Sequence, residues 1–135
     1  MLLYGCETWT PKESLINELD GVYTRMLRRV FDIHWKSHTT NLVLYGTIPK
    51  LSETVKQRRL RFSGHIYRHD NQPVHHLLFW QPDYGKRYRG RPRMTYPDVI
   101  YKDTGLDKKG VQNAMSDRDK WRDVVTSSFQ TSGSP

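Results

Sequence analysis

The sequence predicts a mainly α-helical fold: a small helical bundle with one long basic Gly/Pro-containing loop and a disordered C-terminal tail. Three observations predict it. Apolar residues recur at three- and four-residue steps in several segments. Helix-start signals precede those segments. Glycine and proline crowd the one long stretch that lacks the period. The chain has 135 residues, a length that suits one domain. Its hydrophobic content of 36% and mean hydropathy of -0.80 are low for a globule. The expected core is therefore thin and the exposed surface large. Sixteen aromatic residues argue against full disorder.

The first helix is expected over residues 11–31. Thr10 is a good N-cap, Pro11 fits the first helical position, and Glu13 stands three residues after the cap. Leu15, Leu19, Val22, Met26 and Val30 form its apolar stripe, widened by Ile16, Tyr23 and Leu27. That stripe reads as core. A short second helix is capped by Thr39 or Thr40 and ended by Gly46, and Pro49 closes the connection. A third helix, capped by Ser52, runs to about His69. Its apolar positions are Val55, Leu60 or Phe62, and Ile66, and Gly64 weakens its middle.

Residues 70–80 hold Pro73 and a short apolar piece of open type. Residues 81–93 read as a loop, because Pro82, Gly85, Gly90 and Pro92 forbid regular structure there. Three short helices complete the list. One covers 95–103 with Pro97 in its first turn. One follows an Asp107 cap. One follows a Ser116 cap, with Asp119 three residues on. The organisation expected is thus a helical region over 1–80, a basic loop over 81–93, short helices over 94–126 and a disordered tail over 127–135.

Charge separates these regions more sharply than hydropathy does. Residues 1–55 and residues 94–135 each hold six basic and six acidic side chains. Residues 56–93 hold ten basic side chains against Asp70 and Asp83, and so carry the whole net charge of +8. The partner expected for such a segment is a polyanion, and nucleic acid is the commonest one, whether DNA, RNA or a hybrid. A membrane surface fits less well, because the basic region lacks a broad apolar face. The residues expected to touch nucleic acid are Arg58, Arg59, Arg61 and Arg68 on the third helix. Lys86, Arg87, Arg89, Arg91 and Arg93 join them from the loop. Arg89-Gly90-Arg91-Pro92 matches the AT-hook core, in which a slim backbone lays arginines into a narrow A·T-rich minor groove. A flexible basic linker that touches phosphates without regard to sequence stays open beside it.

Several chemistries find no support. His34 and His38, and His65 and His69, have the i,i+4 spacing of a zinc pair, but Cys6 is the sole cysteine and stands far from both. No metal and no other cofactor is expected. The acidic residues are scattered or sit in caps, so no carboxylate cluster holds catalytic metal ions. No nucleophile motif and no glycine-rich phosphate loop occurs. Cys6 beside Glu7 is not in an electropositive niche. No catalytic residue and no small-molecule substrate is expected. The apolar start of the chain has no basic n-region and does not read as a secretory signal. A nuclear or cytoplasmic location is expected, since a lone cysteine suits a reducing compartment.

Five blocks, in order, resemble the C-terminal part of reverse transcriptases from non-LTR (LINE-like) retrotransposons. They are "LLYGCETWT", "RMLRRVFDIHW" with "HTTN", "KQRRLRFSGHIYR", "GKRYRGRPRMTY" and "DRDKWRDVV". The resemblance runs from Leu2 to about Val125. Among the matching positions are Trp9, Arg28, Thr40, Asn41, Arg59, Gly64, Trp121 and Arg122. Phe62 and Tyr96 depart from it, standing where the family usually has tryptophan, and Pro97 falls inside a usual helix. In that family the region follows the catalytic palm and forms the helical thumb and post-thumb. The resemblance therefore implies a grip on template-primer or target DNA through phosphates. The family's polymerase palm carries an aromatic-x-Asp-Asp motif that this sequence does not contain. The resemblance thus implies a fragment with no catalytic palm of its own. An AT-hook-type DNA-binding module and a non-functional remnant are the alternatives.

Overall fold

A computed structural model of the chain describes residues 3–80 and 94–130. Seven α-helices form among them, and no strand. They are α1 (Glu13–Val30), α2 (Asn41–Tyr45), α3 (Leu51–Tyr67), α4 (Pro73–Leu78), α5 (Tyr96–Thr104), α6 (Lys108–Ser116) and α7 (Arg118–Gln130). The mainly α class holds. The chain divides into two compact units, residues 11–56 and residues 57–135 with 1–10. The division falls inside α3.

The smaller unit packs α1 and α2 around Leu27, Leu44 and Tyr45, with Tyr23, Ile33 and Ile48 beside them. Polar contacts tie it together. Arg28 donates to the Thr39 carbonyl at 2.7 Å and to Asn41 Oδ1 at 2.9 Å. The Thr24 and Tyr45 hydroxyls lie 2.7 Å apart. Thr40 accepts from the Val43 amide and caps α2, and Gly46 ends that helix at positive φ.

Two expectations for this unit are corrected. Helix α1 starts at Glu13 after Lys12, without a side-chain cap from Thr10. Its packed face is the one expected only to widen the stripe: Tyr23 and Leu27 reach the core, while Leu15, Val22, Met26 and Val30 are exposed. Ser52 does not cap α3 as expected, because the helix already begins at Leu51. The Ser52 amide and hydroxyl instead donate to the Asp20 carboxylate at 2.9 and 2.6 Å.

The larger unit has the deeper core. Leu60, Ile66, Leu78, Ile100, Val111, Met115, Trp121 and Val125 are buried together, contributed by α3 to α7. Gly64 turns out to be a packing requirement: a Cβ there would collide with the Trp121 ring. The indole Nε1 donates to the Leu60 carbonyl at 2.8 Å, one turn earlier on α3. Arg59, 5% exposed, is clamped by the Asp103 carboxylate at 2.6 and 2.9 Å and by the Trp9 carbonyl at 3.0 Å. Tyr96 donates to the Glu7 carbonyl at 3.0 Å, and its burial pushes the phenol far above its ordinary range, so it remains a donor.

Helix termini in this unit follow local chemistry. The Asp98 carboxylate accepts from the Thr95 amide and hydroxyl, and Pro97 sits in the first turn of α5, where a missing N–H costs nothing. Asp107 accepts from the Gly110 amide and starts α6. Helix α7 is capped by Asp117, one residue after the cap expected. Its Oδ1 accepts from the Asp119 and Lys120 amides at 2.9 and 3.3 Å. Ser116 instead bonds back to the Gln112 carbonyl inside α6. Helix α7 continues through Gln130, so 127–130 belong to a helix and not to the expected tail. Residues 70–80, left open by the sequence, contain α4 with Pro73 at its start. The 81–93 loop and residues 131–135 lie outside the described residues.

Candidate nucleic-acid interface

The four arginines expected on the third helix have different fates. A helix of this length turns its side chains to every side, and what packs against each side decides their use. Arg59 faces Asp103 and Trp9 in the interior. It is corrected from ligand contact to structural clamp, because a buried guanidinium already in a two-bond carboxylate pair has no face left for a phosphate. Arg58 is exposed, but its Nη1 reaches back to the Leu3 carbonyl at 3.3 Å and lies 4.0 Å from Cys6 Sγ. A cation therefore does stand beside Cys6, contrary to expectation. The thiol itself is fully buried.

Arg61 and Arg68 meet at a cleft. It has a volume of about 290 Å³ and belongs wholly to the larger unit. Helix α3 supplies Gln57 and Arg61, the turn just after it supplies Arg68, and α7 supplies Arg118 and Arg122. Trp121 and Val125 give it an apolar floor, and Thr126 adds a hydroxyl. Spacing explains the arrangement. Positions 57 and 61 share one side of α3, with Arg68 in the turn that follows it, as 118, 122 and 125 share one side of α7. The bond from Trp121 to the Leu60 carbonyl ties α7 to α3 beside the cleft. Arg68 donates to the Met115 carbonyl at 3.1 Å, near the end of α6, which anchors its guanidinium.

Among the described residues no carboxylate lines this cleft. Asp119 meets Arg122 at 3.1 Å, but both are about three-quarters exposed, and such a pair is weak in water. Four guanidiniums around an apolar floor suit an anion with several oxygens, since each offers a planar fork of donors. Arg118 and Arg122 escaped the sequence reading of the basic surface. Three aspartates in the same ten residues cancel their charge in any segment total. Their i,i+4 spacing was the available signal.

The five basic residues of the loop, Lys86, Arg87, Arg89, Arg91 and Arg93, lie outside the described residues. The histidine pairs serve local structure. His34 Nδ1 accepts from the Lys36 amide, and His69 Nδ1 bonds to the His65 carbonyl at 2.8 Å. Among the described residues no group of three or more His, Cys, Asp or Glu could hold a metal ion. No helix among them is long and apolar enough to cross a membrane.

The chain is similar to an uncharacterized transposon-derived protein of Caenorhabditis elegans. The two are 26% identical over 137 residues, an alignment that covers 92% of this chain and 49% of that protein. The chain thus spans about half the length of the curated relative it matches. The similarity supports a transposon origin. No family model matches the chain, and no solved structure matches it.

Proposed function

We propose that this chain is a nucleic-acid-binding module of transposon origin, and that the α3–α7 cleft grips the phosphate backbone. One observation carries the reading: Arg61, Arg68, Arg118 and Arg122 converge on a single cleft that no carboxylate lines among the described residues. A cleft of that size admits a phosphate and part of a sugar, so the duplex or strand lies across it while the backbone enters. Gripping of this kind is sequence-tolerant and salt-sensitive. It fits the resemblance to the thumb and post-thumb of a retrotransposon reverse transcriptase, in which template-primer or target DNA is held and the chemistry is done elsewhere. The AT-hook reading rests on Arg89-Gly90-Arg91-Pro92 alone.

Fluorescence-anisotropy titrations test the proposal, with A·T-rich duplex, G·C-rich duplex and RNA–DNA hybrid at several salt concentrations. Similar, salt-sensitive binding to all three is expected. Replacing Arg61 and Arg118 by glutamine should flatten the log–log salt slope by about 0.9 for each phosphate no longer neutralised. An unchanged slope in that variant would sink the cleft assignment. A strong preference for A·T duplex, lost on replacing Arg89 and Arg91, would move the function to the loop.

A further inference from the structure

Helix α1 carries two apolar faces, and its own unit uses one. Tyr23 and Leu27 hold the core with α2. Leu15, Val22 and Met26 are exposed, and Leu19 between them is half-buried. These four positions follow at steps of four, three and four residues, the seam spacing of a two-stranded coiled coil. The core on the other face already holds the helix in shape, so pairing along the seam orders little new chain. An apolar stripe of this kind marks a surface built to be covered.

We propose that α1 is a dimerisation helix whose occupant is the α1 of a second copy of this chain, packed antiparallel. Charge selects both the occupant and the direction. Exposed Glu18 and Arg25 lie seven residues apart on the same margin of the seam. In the antiparallel register, Leu15 packs against Met26 of the second copy, and Leu19 against Val22 of the second copy. Antiparallel pairing sets like margins side by side. In this register Glu18 of each copy meets Arg25 of the other, twice by symmetry. A parallel pair sets that margin against Tyr23 and Val30 instead, where no charge answers it. The antiparallel arrangement also opposes the two helix dipoles. The inference is independent of the nucleic-acid reading, since none of these residues lines the arginine cleft.

Sedimentation equilibrium of the full chain tests it, free of nucleic acid and under reducing conditions. A concentration-dependent monomer–dimer equilibrium is expected. Glu18→Arg and Arg25→Glu should each raise the dimer dissociation constant by roughly tenfold, because each sets two like-charge pairs across the seam. The double variant should restore it to within about threefold. Met26→Asp should abolish the dimer while circular dichroism shows the helix content retained. A wild-type chain that stays monomeric at its highest soluble concentration overturns the proposal. So does a dimer indifferent to the single charge reversals, or one the double variant fails to restore.

Discussion

Residues 57–130 and the N-terminal segment bury eight side chains in one cluster, with Leu60, Ile100, Val111 and Met115 fully enclosed. Residues 11–56 bury three in theirs and leave Leu15, Val22, Met26 and Val30 of α1 exposed. The larger unit has five helices to set around a centre. The smaller has one long helix, one short helix and the first residues of α3. A small set of elements cannot enclose every apolar face it presents. The contrast teaches that a periodic stripe certifies a helix without saying what lies against it. It also separates two uses of arginine. Arg28 and Arg59 are buried or half-buried staples in their units, whereas Arg61 and Arg118 face a cleft.

The contrast can be broken first at its strongest point. Trp121→Ala should cost the larger unit about 3–5 kcal/mol in urea unfolding, through poorer packing and the lost indole bond to the Leu60 carbonyl. A loss near zero would mean the eight-residue cluster is not the main core. Arg59→Ala should cost about 3 kcal/mol, because it removes a buried guanidinium and leaves half-buried Asp103 without that partner. It should leave the salt slope of nucleic-acid binding unchanged wherever the variant is folded. A flattened slope would return Arg59 to the binding surface.

A neighbouring pair in the smaller unit sharpens the comparison further. Leu27→Ala should destabilise by about 2–3 kcal/mol. Met26→Ala, next to it and 54% exposed, should change monomer stability by less than about 0.5 kcal/mol. The reverse order in thermal melts would put the stripe in the core after all. The smallest effect concerns Asp117. Hydrogen bonds from the Asp119 and Lys120 amides hold its carboxyl below the usual carboxylate range. A folded value lower than the unfolded one stabilises above the unfolded value, and that contribution is lost as pH falls through the folded one. Acid should therefore weaken the start of α7 below about pH 4. Asp117→Asn keeps an acceptor oxygen and should show a flatter loss of stability across that range.

Much of the local structure was legible. Thr40, Gly46 and Asp107 marked helix ends because capping depends on a few adjacent residues. Ser52 and Ser116 misled for a related reason. A serine that looks like a cap is a hydroxyl in need of a partner, and the fold offered Asp20 to one and a helix carbonyl to the other. The cleft was half legible. The excess charge of 56–93 pointed to Arg61 and Arg68, but the aspartates around Arg118 and Arg122 hid the opposite wall. Several positions that carry the retrotransposon resemblance prove structural: Arg28 with Asn41, Arg59 with Trp9, and Gly64 with Trp121.

By itself the sequence determined the helical class, most helix positions, the basic middle of the chain and the absence of recognisable catalytic motifs. Those follow from periodicity, capping and charge, which act over a few residues. Only the tertiary structure decided which face of α1 is covered, which arginines are buried and which reach the cleft. It also decided why position 64 must be glycine. Each of those depends on what a distant segment places alongside, and burial, ion pairing and steric fit exist only once the helices have packed.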